Sequence, residues 1–201
     1  MFRSLLAFTT FALLVPAFAA PAGELEDRQV RCADVMVFFA RGTTEIAPIG
    51  STVGPALRTA LLAALGGRSL SFTGVDYPAD IAGFLAGGSP QGSRTMAQDL
   101  TSAASACPNA ALVSSGYSQG GQLVHNSANL LSAAVRARIS AAVIFGDPDF
   151  GDAVTGVPAD RTDVICHQGD NICEHGTLVL PPHLNYQPDT PAAARFIASR
   201  V

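Results

Sequence analysis

Apolar residues in this chain come in two patterns. Some form short unbroken runs, and others recur every three or four positions. Asp34 to Ala40 (DVMVFFA) is an unbroken run rich in Val and Phe, the pattern of a strand buried on both faces. Leu70 to Val75, Ala110 to Ser114, Ala141 to Phe145 and Asp163 to Ile165 read as four further strands. Helical spacing lies between them. Leu57, Leu61, Ala64 and Leu65 share a face after Gly54-Pro55, and Gly66-Gly67 ends that helix. Ser89-Pro90 resembles an N-cap followed by proline at the first helical position, with Met96, Leu100, Ala103, Ala104 and Cys107 at helical spacing behind it. Leu123, Ser127, Leu130, Leu131 and Ala134 mark a helix over Gln119 to Ala134, and Thr190-Pro191 opens a last one carrying Phe196, Ile197 and Val201. Strands alternating with amphipathic helices predict an α/β fold of three layers, with a central, mostly parallel, five-stranded sheet. Such a sheet binds ligands beyond the carboxyl ends of its strands. Chemistry is therefore expected just after residues 40, 75, 115, 145 and 165.

The first thirty residues stand outside this pattern. Arg3 precedes an apolar stretch from Leu5 to Phe18, and Ala17-Phe18-Ala19 has the small-x-small form that signal peptidase accepts. Residues 1–19 read as a secretory signal; the stretch is short of a membrane span and contains Pro16. Residues 20–30 are polar and read as a disordered tail or a short propeptide, leaving 31–201 as one domain. No later stretch qualifies as a membrane anchor.

Composition narrows the classes. The 201 residues are 48% apolar and 14% charged, too apolar for a disordered chain. Twelve basic residues, all Arg, against sixteen acidic ones leave a net charge of −4. Without a basic run the chain is a poor nucleic-acid or anionic-membrane binder. Export would place Cys32, Cys107, Cys166 and Cys173 in an oxidising compartment. Four cysteines allow three pairings. Cys166 and Cys173 are seven apart and can close a tight loop, which leaves Cys32 with Cys107. Their spacings are not the short paired ones of zinc sites, so no metal is expected.

Reactive chemistry first shows at Gly116-Tyr117-Ser118-Gln119-Gly120, a G-x-S-x-G turn between a predicted strand and a predicted helix. Such a turn projects the serine hydroxyl from the strand tip onto the helix start. The hydroxyl is a poor nucleophile without a base. His125 lies two turns along the following helix and cannot curl back, reading as a surface or satisfied core residue. His167 and His175 flank the late cysteines. His183, in the apolar and proline-stiffened Pro181-Pro182-His183-Leu184, is the favoured base. Asp170, between Cys166 and Cys173, is the favoured partner for it; Asp147, in Gly146-Asp147-Pro148-Asp149, is the competitor and reads as a turn aspartate. Donors for an oxyanion are expected from the backbone N–H of Gln119 and from Thr43 in the loop after the first strand.

Four segments carry a resemblance to the fungal cutinase family of serine esterases, over essentially residues 31–201. They are Phe38-Phe39-Ala40-Arg41-Gly42-Thr43-Thr44-Glu45, Cys107-Pro108-Asn109, the G-x-S-x-G turn, and Cys166-x3-Asp170-x2-Cys173-x9-His183-Leu184. The resemblance implies a lidless α/β-hydrolase fold and a triad of Ser118, Asp170 and His183. It implies an oxyanion hole at Thr43 and Gln119, the two disulfides as paired above, and no metal or organic cofactor. It implies a secreted monomer that cleaves cutin, related aliphatic polyesters or short acyl esters. Thr43 stands where other members have Ser. Gly146-Asp147-Pro148 departs from the family's Gly-Tyr-Thr towards the related acetylxylan esterases, which are the runner-up. A catalytically silent secreted binder is the rival of another class. An apolar groove is expected from Ile81, Phe84 and Leu85 on one side and Leu180 and Leu184 on the other, with Tyr77 and Tyr117 nearby.

Overall fold

The computed structural model describes residues 31–201; the expected signal and tail lie outside the described residues. Five strands, β1 (Val35–Ala40), β2 (Leu70–Gly74), β3 (Ala111–Tyr117), β4 (Ile139–Phe145) and β5 (Thr162–Ile165), form one sheet in the order β2-β1-β3-β4-β5. Every neighbouring pair is parallel. The sheet is sandwiched between helices, because the two faces of each strand pack into different cores. Val35, Val37 and Phe39 face α1 (Gly54–Ala64) and α6 (Thr190–Ala198), meeting Leu57, Leu61 and Ile197. Met36, Phe38 and Ala40 face α3 (Pro90–Ala106) and α4 (Gln119–Leu130), meeting Met96, Leu100 and Leu123. This double burial is why the strands read as continuous apolar runs.

Helix starts follow local chemistry. The Ser89 hydroxyl accepts the Gly92 N–H, and Pro90 occupies the first turn of α3. Three details differ from the predicted elements. The apolar stretch after Asp80 is a helix, α2 (Ile81–Leu85), because the Asp80 carboxylate accepts the Gly83 N–H. The helix predicted to reach Ala134 stops at Leu130, since Leu131 is extended and Ser132 caps a separate α5 (Ala133–Ala137) through the Val135 N–H; Leu130 consequently points to solvent. β3 runs on to Tyr117, carrying the buried Ser114 and Ser115 between β1 and β4.

Cys32–Cys107 ties the chain ahead of β1 to the end of α3, and Cys166–Cys173 closes a short loop after β5. From β1 the chain crosses to β2 on one side and later to β3 on the other. The carboxyl ends of β1 and β3 therefore flank the point where strand order reverses, where open α/β sheets form their crevice.

Candidate active site

Ser118 sits at this crevice, between β3 and α4, with φ 56° and ψ −123°. A non-glycine residue enters this region only when its surroundings force it there. Gly116 and Gly120 supply the force. A Cβ at Gly120 would lie 1.9 Å from the Ala40 carbonyl oxygen, and one at Gly116 would lie 2.1 Å from the Gly120 oxygen. The chain passes itself so closely that only glycine fits on either side of the serine.

The Ser118 hydroxyl lies 2.9 Å from Nε2 of His183, and Nδ1 of His183 lies 2.8 Å from Oδ2 of Asp170. An ionised carboxylate only accepts, so the imidazole proton sits on Nδ1 and Nε2 is free to accept from the serine. All three residues are buried. His183 rides a 3-10 turn, Pro181–Leu184. The Tyr117 ring stacks against it at 5.2 Å between centroids, and the Tyr117 hydroxyl donates to its carbonyl at 2.9 Å. Burial pushes the phenol of Tyr117 up, so it stays a neutral donor. Asp170 is held inside the Cys166–Cys173 loop, where Oδ1 accepts the Ile172 N–H at 3.0 Å.

The competing groups are spoken for elsewhere. Asp147 is fully buried, but Nε2 of His125 meets it at 2.9 Å, and its other oxygen accepts the Asp149 N–H. His167 is bonded to Asp189 and to the Pro182 carbonyl, and His175 to the Pro148 carbonyl. Donor atoms of His125, Asp147 and Asp149 lie within 4.8 Å of one another, the group among the described residues closest to a metal-ligand arrangement.

Gln119 opens α4, where a backbone N–H has no helical acceptor. Its side-chain Nε2 donates to Thr43 Oγ1 and to the Asp80 carbonyl, both at 2.9 Å. The Thr43 hydroxyl, accepting from Gln119, keeps its own proton free for the cleft. The Arg41–Glu45 loop is fixed by a residue that sequence reasoning passed over. The Glu45 carboxylate accepts N–H bonds from Gly42, Ser51 and Thr52.

A cavity of about 520 Å³ opens in front of Ser118. Its lining includes the polar Thr43, Thr44, Glu45 and Thr52 and the apolar Ile81, Phe84, Leu85, Val179 and Leu184, with Tyr117 and Ile172. Two expected wall residues are placed otherwise. Tyr77 is buried under the first loop, its hydroxyl donating to the Arg41 carbonyl while the Arg41 guanidinium donates to the Tyr77 carbonyl. It braces the loop and does not reach the cavity. Leu180 is half-exposed outside the lining, and Val179 fills the position expected of it. Among the described residues no helix is long and apolar enough to cross a membrane.

Comparisons with known proteins place the chain in a family. The family model described as Cutinase matches residues 31–201. A cutinase of Botryotinia fuckeliana is 60% identical over 188 residues, covering 92% of each chain, and one of Monilinia fructicola is 57% identical over 187. Among solved structures, a Trichoderma reesei cutinase in complex with a phosphonate inhibitor superposes with a TM-score of 0.81 at 47% identity, over 84% of this chain and 76% of that one. An acetylxylan esterase shares the fold at a TM-score of 0.70 but only 24% identity, over 85% and 99%. With a family match along the whole described chain and relatives this similar on both sides of the comparison, the protein belongs to the cutinase family and is a serine esterase of the cutinase type.

Proposed function

We propose that Ser118, His183 and Asp170 carry out ester hydrolysis. Ser118 attacks the ester carbonyl as Nε2 of His183 takes its proton, and Asp170 stabilises the imidazolium. The negative charge on the tetrahedral oxygen meets the Gln119 N–H and the Thr43 N–H and hydroxyl, each such donor being worth about 100- to 1000-fold in rate. His183 returns the proton to the departing alcohol, leaving Ser118 acylated. Water, deprotonated by the same imidazole, then attacks the acyl-enzyme and releases the acid. The observation that carries this reading is the unbroken bonding from Ser118 Oγ through His183 to Asp170 at the mouth of the groove.

The substrate proposed is an aliphatic ester, with cutin the natural polymer suggested by the names of the relatives. The apolar lining of Ile81, Phe84, Leu85, Val179 and Leu184 suits an acyl chain better than a sugar. Acting on such a polymer requires the secretion expected from residues 1–19. A panel of p-nitrophenyl esters from C2 upwards, cutin and acetylated xylan tests the choice. Turnover of C4 and longer esters and of cutin is expected. A preference for acetylated xylan would overturn it.

A further inference from the structure

Asp170 is fully buried, and three donors converge on it. Besides the Ile172 N–H on Oδ1, its Oδ2 receives both Nδ1–H of His183 at 2.8 Å and the hydroxyl of Tyr186 at 2.6 Å. That hydroxyl cannot turn away. Its oxygen already accepts the His167 backbone N–H at 3.0 Å, so its single proton points at the carboxylate. The ring is fully buried and immobilised. It stacks on His167 at 4.1 Å between centroids and meets His183, Tyr117 and Phe145 edge-on. His167 is itself clamped to Asp189 and to the carbonyl of Pro182, the residue before His183. A buried tyrosine needs some acceptor for its hydroxyl. Here the acceptor is the same oxygen that steadies the base.

We infer that Tyr186 is a positioning residue for ester hydrolysis, aiming the Asp170 carboxylate at His183 and tempering how strongly that carboxylate holds the imidazole proton. The inference rests on the roles of Ser118, His183 and Asp170 set out above. A donor on a carboxylate oxygen draws off part of its charge. Without it Asp170 pulls harder on Nδ1–H, the imidazolium is favoured, and the base stays protonated to higher pH. The titratable groups facing the Tyr186 hydroxyl and ring are Asp170, His167, His183 and Tyr117, with Asp189 behind His167. Burial and the bond to Asp170 both push the Tyr186 phenol up, so it remains a neutral donor wherever the base works.

The test is Tyr186→Phe, which keeps the ring and removes the proton, assayed on a soluble p-nitrophenyl ester across pH. The kcat is expected to fall about tenfold with KM little changed, the size of a lost bond to a charged acceptor. The acid limb of the pH profile should move to higher pH. With Asp170→Asn, where no charge remains, the same change should cost less than about twofold. A second variant, 3-fluorotyrosine placed at 186, retains shape and donates more strongly, so its acid limb should move to lower pH. An acid limb unmoved by both changes overturns the inference, as does an equal loss in both Asp170 backgrounds. Full turnover by Ser118→Ala would instead overturn the triad itself, so the two failures are distinguishable.

Discussion

Ser118 occupies a backbone conformation that costs on the order of 1–3 kcal/mol. It persists because the crossing at Gly116 and Gly120 leaves the chain no other route. Gly120→Ala should therefore fail to fold, or lose more than about 3 kcal/mol, in a denaturant titration. Gly146 offers a subtler case. It has φ 57°, and a Cβ there would lie 2.8 Å from Cε1 of His183. Gly146→Ala presses directly on the imidazole. Its kcat on a soluble ester should drop by at least about tenfold, since small misplacements of reacting groups are amplified in rate. A variant with lowered Tm but wild-type kcat would contradict the tight packing behind His183.

Between elements, the structure holds two buried His–Asp pairs at the carboxyl end of the sheet. One pair reaches the serine. The other, His125 on α4 and Asp147 after β4, ties helix to strand. Burial pushes His125 towards neutrality, but the hydrogen bond its ring N–H donates to Asp147 and the charges of Asp147, Asp149 and Asp152 outweigh it and raise its affinity for a proton. A raised histidine stabilises the fold below its unfolded value of about 6.5, and that contribution is lost as pH rises through the folded value. Half-buried Asp149 and Asp163, also raised, act with the same sign at lower pH. Thermal melts should show Tm falling as pH climbs above neutrality, and His125→Asn should flatten that fall. A slope unchanged by the substitution would contradict it. The Cys166–Cys173 loop holds Asp170 by a different means, closing a short ring worth about 2–3 kcal/mol on a chain-entropy estimate. On titration with reductant, activity should fall before near-ultraviolet circular dichroism reports global unfolding. Coincident loss would deny the loop its positioning role.

At the scale of the whole molecule, the groove at Ser118 is lined by polar and apolar residues together, and Ile81, Leu85, Val179 and Leu184 among them are exposed. Leu85→Asp should spare p-nitrophenyl acetate within about twofold, because its exposed side chain lies on α2, an element that carries none of Ser118, Asp170 and His183. Release of soluble product from a polyester film should fall several-fold; equal effects on both substrates would contradict a docking role. Much of this architecture was legible in the chain. The strands are continuous apolar runs because both of their faces are covered, and the serine turn is legible because its glycines are sterically required. His183 stood out because Pro181 and Pro182 stiffen a loop beyond the last strand. What stayed hidden are bonds made through side chains across the fold: Glu45 to three backbone N–H groups, Tyr186 to Asp170, His125 to Asp147. None of these follows a period of two or 3.6, so no pattern along the chain announces them. Tyr77 was misplaced for the same reason, its burial depending on Arg41 thirty-six positions away.

The central claim is that the hydroxyl at 118 becomes an acylatable nucleophile because His183 and Asp170 activate it. Mass spectrometry of the protein after treatment with a fluorophosphonate tests this most directly. One equivalent should map to the peptide bearing Ser118, with esterase activity lost in proportion, and His183→Ala should label far more slowly. Full activity without an adduct, or an adduct on another residue, would contradict the account.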